Sequence, residues 1–155
     1  MLHPTLTKLA KTREKLLAVV SSLSEDTLDR RSAEGWTVRE TLTHLLNAEE
    51  DHCRVIAVIA RGDSDRLPKN FDLDEHNQRR LTERGHLALA ELLDALAAQR
   101  QRTDALFNRL SDDQLTLTGP HPALGEMALG DIFRVIAIHE QAHTREIQAL
   151  LDGVE

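Results

Sequence analysis

Tyrosine is absent from this chain, tryptophan occurs once and phenylalanine three times. So few aromatics, in a sequence where Leu and Ala dominate, favour helix over sheet. Cys53 is the single cysteine, so no intrachain disulfide can form and a reducing, cytoplasmic setting is expected. No apolar run approaches the roughly 20 residues that span a bilayer. The N-terminus also lacks the charged-then-apolar plan of a signal peptide, so no membrane partner is expected. An excess of basic charge is missing as well: 19 Lys and Arg stand against 26 Asp and Glu, a net charge of -7. Such a surface repels phosphate backbones and predicts no nucleic-acid partner.

What is present is ordinary for a globular chain. The 155 residues are 41% hydrophobic and 29% charged, which predicts one domain over 1–155 with a proper core. Four helical segments emerge from the periodicity. The first runs from Thr5 to Leu23, with Leu6, Leu9, Leu16, Leu17 and Val20 at helical spacing and Pro4 at its start. A polar connection covers Ser24 to Gly35. The second helix covers Thr37 to Ala60; Thr37 and Glu40 form a capping box, and Gly62 follows its end. A polar loop surrounds Pro68. One long third helix is expected from Asp72–Glu75 to Leu110, with Gly85 as a kink or interruption. Ser111 to Ala128, holding Gly119, Pro120, Pro122 and Gly125, reads as loop, and the fourth helix covers Leu129 to Leu151. No strand is evident. The expected fold is all-α, a four-helix bundle whose connectivity periodicity leaves open.

The fourth helix carries His139-Glu140-Gln141-Ala142-His143, an H-E-x-x-H string. Histidines four apart share a helix face, so their ring nitrogens can converge on one metal ion. Both also fall in the apolar arc of Ile132, Ile136, Ile147 and Leu150, where an unpartnered imidazole is costly. The string is the signature of zinc proteases, in which the glutamate is the base. That reading fails on the third ligand: only twelve residues follow His143, and Glu146 and Ala149 stand where the longer motif needs glycine and histidine. The third ligand must come from upstream. His44, on the flank of the second helix's apolar stripe, is the best candidate. His52 lies two turns away, about 12 Å, too far to share one ion with it. His3, His76, His86 and His121 fall in loop or exposed contexts, and each is expected to be solvated.

The chain resembles the DinB-like superfamily, which includes bacillithiol- and mycothiol-dependent transferases. Three segments carry the resemblance: Trp36 to Leu45 (Trp-x-x-x-Glu-x-x-x-His-Leu), Phe71 to Asn77, and His121 to Met127 followed by the helix with His139 and His143. The resemblance implies an up-down-down-up four-helix bundle, often a homodimer. It also implies one divalent metal ion, zinc or nickel, on His44, His139 and His143, and a low-molecular-weight thiol as nucleophile. The chain has Asn47 and Glu146 where the family often has Asp and Gln.

Other residues are read more plainly. Glu140, beside the first histidine of the pair, is left between a base and a surface or dimer salt bridge, and Trp36 is read as an aromatic closing the bundle end. Cys53 lies opposite His44 and is excluded as a ligand. Arg39, Arg134 and Arg145 are expected to be solvated. The preferred function is a metal-dependent thiol S-transferase acting on an electrophile. The alternatives are a metal-dependent hydrolase using bound water and a non-catalytic metal-binding or dimerisation module.

Overall fold

Pro4–Val20 forms α1, whose first free N–H groups are met by His3: its Nδ1 accepts from the Thr5 N–H at 3.1 Å. The structure, a computed structural model, describes residues 2–33 and 35–153. Within the predicted polar connection, Ser24 caps a single turn, α2 (Glu25–Leu28); Glu34 lies outside the described residues. Helix α3 (Val38–Ala60) starts at the capping box foreseen above, with Thr37 Oγ1 accepting the Glu40 N–H and Glu40 returning the bond. A 3-10 turn at Ser64–Arg66 follows.

The long third helix is in fact two. Helix α4 (Leu73–Arg84) ends at Gly85, whose φ of 75° is open to glycine and strained for other residues, and α5 (Leu89–Arg109) begins afresh. The two also differ in kind: α4 buries only Leu81, whereas α5 buries Leu92, Leu96 and Phe107. The Ser111–Ala128 loop also needs correction. It holds a short helix, α6 (Asp112–Leu115), and an antiparallel hairpin of β1 (Thr118–His121) with β2 (Gly125–Ala128), in the register Thr118 to Ala128 and His121 to Gly125. The inward positions of β1 are Gly119 and His121, so its alternation carries no apolar signal. A Cβ on Gly119 would come within 2.4 Å of Ile59, and glycine there is what lets the hairpin lie on the end of α3. Helix α7 (Leu129–Leu151) follows the hairpin with the expected bounds.

Two apolar clusters fix the topology. One gathers Leu16 and Val20, Leu42 and Leu46, Leu92 and Leu96, and Ile147 and Leu150; the other gathers Leu6 and Leu9, Ile56 and Ile59, Phe107, and Ile132 and Phe133. The second cluster takes the starts of α1 and α7 but the ends of α3 and α5. The four long helices therefore run up, down, down, up. Between the clusters lies a polar layer to which each long helix contributes. Arg13 Nε donates to Glu140 Oε1 at 2.8 Å, and Arg100 Nε to Glu49 Oε1 at 2.8 Å. Cross bonds join Arg13 to Glu49 and Arg100 to Glu140, each at 3.2 Å. Thr12 and Thr103 donate their hydroxyls to the same carboxylates. Glu140 is thus not in a surface or dimer bridge: at 2% exposure it belongs to the middle of the core. Two buried cations and two buried anions cancel, which is the condition for holding them away from water. Among the described residues no helix is long and apolar enough to cross a membrane.

Candidate metal centre

Helix α3 presents His44 towards α7, and His139 and His143, one turn apart, face it. His44 Nε2 lies 3.1 Å from His139 Nε2, which lies 3.1 Å from His143 Nε2. Among the described residues, these three form a group whose ligand atoms all fall within 4.8 Å of one another. His143 Nδ1 sits 2.7 Å from Glu146 Oε2, so the ring proton is on Nδ1 and the Nε2 lone pair points at the other two rings. With His143 Nε2 bare, a proton on either of the other two Nε2 atoms serves at most one of the two 3.1 Å contacts with good geometry, so the three nitrogens do not fully satisfy one another. A cation satisfies all three at once. The Glu146 carboxylate on the far nitrogen is the usual support of a liganding histidine.

The electrostatics agree with that chemistry. Burial, then the neighbouring His143 and His52, lowers His44 from its usual 6.5 to about 3. Burial, reinforced by the surrounding histidines, lowers His139 to about 2. Both imidazoles are therefore neutral at physiological pH, the form that binds a cation. The Trp36 ring packs against His44 with centroids 4.8 Å apart. Trp36 thus backs the site directly, beyond the end-closing role expected of it.

Two unlike cavities meet at this trio. The smaller, about 340 Å³, is lined mostly by polar side chains, among them Asp74, Asn77, Gln78, His143 and Glu146, beside the Trp36 ring. The larger, about 780 Å³, reaches His44 and His139 and is walled by Val55, Leu67, Phe71 and Leu73, with Leu124 of the hairpin turn across from them. Asn77 borders both.

Several expected solvent-facing residues are instead held. His121 is 9% exposed; its Nδ1 accepts the Ala123 and Leu124 N–H groups, and its Nε2 meets His52 Nε2 at 2.8 Å. His76 bonds Asp51 at 2.7 Å. Arg39, at 5% exposure, clamps Glu25, Asp29 and the Leu87 carbonyl, tying α2 and the α4–α5 junction to α3. Arg134 and Arg145 are exposed as expected, Arg134 pairing with Asp131; His86 is exposed, and His3 serves as the cap of α1. Cys53 faces Thr103 and Gln99, away from the trio, and burial raises its thiol to about 11. It is no ligand and no nucleophile at neutral pH. Asn47 Oδ1 accepts from Arg84, while its buried Nδ2 has no partner. The ionic layer and the His52–His121 pair were missed in the sequence. Arg13 and Arg100 did leave a trace, each standing on its helix's apolar stripe where a leucine would be ordinary.

The pattern of the DinB superfamily matches residues 8–147. The chain belongs to the DinB superfamily. Among solved structures it is similar to YfiT from Bacillus subtilis, described as a probable metal-dependent hydrolase with an unusual four-helix bundle topology. That likeness has a TM-score of 0.79 at 21% identity, covering 97% of this chain and 87% of that one. It is also similar to the four-helix bundle protein TT2238 (TM-score 0.58, 23% identity, 94% of this chain and 96% of that one). A third likeness is to the colibactin self-resistance protein ClbS in complex with double-stranded DNA (TM-score 0.74, 17% identity, 96% and 94%). No curated protein matches. The ClbS complex corrects one expectation. The acidic charge of this chain was read as excluding nucleic acid, but a protein of the same fold holds duplex DNA, so that exclusion does not stand for this fold.

Proposed function

We propose that this protein is a divalent-metal-dependent enzyme that transfers a low-molecular-weight thiol to an electrophile, with His44, His139 and His143 as the ligands of one zinc or nickel ion. The observation that carries this reading is the meeting of two chemically different cavities at one histidine trio. A reaction between two unlike molecules needs two unlike seats at one reacting centre. Three neutral imidazoles suit zinc and nickel and leave coordination positions open. A cation so bound lowers the pKa of a thiol or water that reaches it.

The chain's own residues do the rest. Glu146 fixes the His143 ring, and Trp36 braces His44. Asp74, Asn77 and Gln78 offer hydrogen bonds to the polar body of the thiol, while the apolar walls of the larger cavity seat the electrophile and exclude water. The reaction forms a sulfur–carbon bond, breaks the bond between that carbon and its leaving group, which departs as an anion (chloride for monochlorobimane), and releases the thiol proton to water. A second reading, hydrolysis, is favoured by the description of YfiT.

Metal analysis of gently purified protein, coupled to a thiol screen with monochlorobimane as electrophile, tests the proposal. About one ion per chain is expected, with thiol-dependent turnover that His44→Ala abolishes together with the metal. A metal-free native protein, or a His44→Ala variant that behaves identically, overturns it. Turnover of 4-nitrophenyl acetate without thiol, and none with thiol and bimane, replaces it by the hydrolase.

A further inference from the structure

The floor of the larger cavity carries a hydrogen-bonded chain whose direction the geometry dictates. His121 Nδ1 accepts two backbone N–H groups, from Ala123 at 3.0 Å and Leu124 at 3.1 Å, so the His121 proton is on Nε2. His52 Nδ1 stands 2.6 Å from the Ala48 carbonyl oxygen, so that nitrogen carries the His52 proton and Nε2 is a bare acceptor. The 2.8 Å contact between the two Nε2 atoms is therefore His121 donating to His52. With both His121 Nδ1 and the His52 proton already engaged, the pair cannot serve as a second metal site.

The two outer links of this chain are made to backbone and are fixed. The middle link joins two side chains on different elements, α3 and the hairpin, and both line the cavity. It is the one link that an occupant can replace. Once the rings part, they present one N–H donor and one lone-pair acceptor. A hydroxyl group matches both, accepting from His121 and donating to His52, and leaves no polar atom unpaired. A carbonyl or ether oxygen answers His121 alone and strands the His52 lone pair, which is costly in a buried site. A carboxylate adds a charge that the floor does not balance: the cations of this cavity, Arg54 and Lys69, are exposed, and Arg54 is held by Asp51. The walls are apolar. His52 lies beside the reacting centre, its ring centroid 6.5 Å from that of His139.

We propose that the larger cavity binds an apolar organic molecule through a hydroxyl group, which inserts between His121 Nε2–H and His52 Nε2. The inference rests on reading the trio as the reacting centre and names the substrate class of the cavity beside it; His52 and His121 are its specificity-determining residues. Because the two rings satisfy each other when the cavity is empty, the hydroxyl gains about one net hydrogen bond. The expected preference is about tenfold, far below that of sites that hold bare polar groups waiting for a ligand.

The test is a pair of 19F NMR titrations with 4-fluorobenzyl alcohol and its methyl ether, run on zinc-loaded and on chelated protein. The cavity has room for the extra methyl, so size does not separate the two probes. The alcohol is expected to bind about tenfold more tightly in both states. His121→Asn keeps an oxygen for the Ala123 and Leu124 N–H groups but leaves its amide donor short of the Nε2 position, and the preference falls to about one. His52→Leu, which removes the acceptor, is the second variant should the first fail to fold, and gives the same loss. Equal affinity for both probes, binding of neither, or a preference that survives in a folded variant overturns the proposal. So does a preference seen only with zinc, since the ion rather than the pair then holds the hydroxyl. A protein that binds no zinc yet shows the preference after chelation refutes the metal-dependent reading and leaves this one standing.

Discussion

Helices α3 and α7 each carry residues of two polar clusters, and the clusters are built on opposite principles. Glu49 and Glu140 enter a layer in which charges cancel and the carboxylate oxygens are met by Arg13, Arg100, Thr12 and Thr103. His44 and His139 enter a cluster in which three ring nitrogens converge, neighbouring ones 3.1 Å apart. The first is closed and asks for nothing from solution; the second could hold a metal ion. Neighbouring residues of one helix thus serve two ends, with Glu140 holding the bundle together and His139 facing the candidate metal centre. The comparison shows that burial of polar groups is by itself no sign of function. Unsatisfied convergence is.

Three measurements break or sharpen this contrast. The largest effect is expected from pH, because it acts on several histidines at once. His44, His52, His121 and His139 all have lowered pKa values, for which burial is the leading cause. The unfolded chain takes up protons near the ordinary value of about 6.5, while the folded chain does not until much lower pH. Their contribution to stability is present above that value and is lost as the pH falls towards the folded pKa. The Tm of chelated protein should therefore drop between about pH 7.5 and about pH 5.5. Glu140→Ala should show the same slope, since its histidines remain; a flat profile would remove the open cluster from the account.

Next in size is the closed cluster. Glu140→Ala leaves two buried arginines with a single carboxylate and should cost about 3–5 kcal/mol in urea unfolding. A loss under about 1 kcal/mol would show the layer to be wet and dispensable. The smallest effect belongs to the support of the open cluster. Glu146→Gln should weaken zinc binding by about 10–100-fold in a competition titration. It should leave the unfolding of chelated protein in place, because Glu146 is half exposed and braces only His143.

How far the sequence could be read follows from the range of each signal. The capping box at Thr37 and Glu40, the span of α7 and the trio of histidines depend on residues close together on a helix or on matched motifs, and all were legible. The split of the third helix was half legible: Gly85 marked the place, but only the different faces of α4 and α5 turn a kink into a break. The hairpin was hidden because its inward positions are a glycine and a histidine. The ionic layer was hidden for a different reason. Each of its charges is an anomaly on one helix and becomes sensible only when three other helices supply its partners. His121 was misread in the same way, since nothing near it in sequence announces His52.

The ionic layer also constrains how the protein can be made. Arg13 and Glu140 stand 127 residues apart in the chain, so α1 waits on the ribosome through that stretch of synthesis before this counter-charge emerges. Until then Arg13 and Arg100 share Glu49 alone, and any compact intermediate buries an unbalanced positive charge. Premature closure of α1, α3 and α5 is thereby disfavoured, and α7 acts as the latch that closes the bundle, an order of assembly written into four side chains.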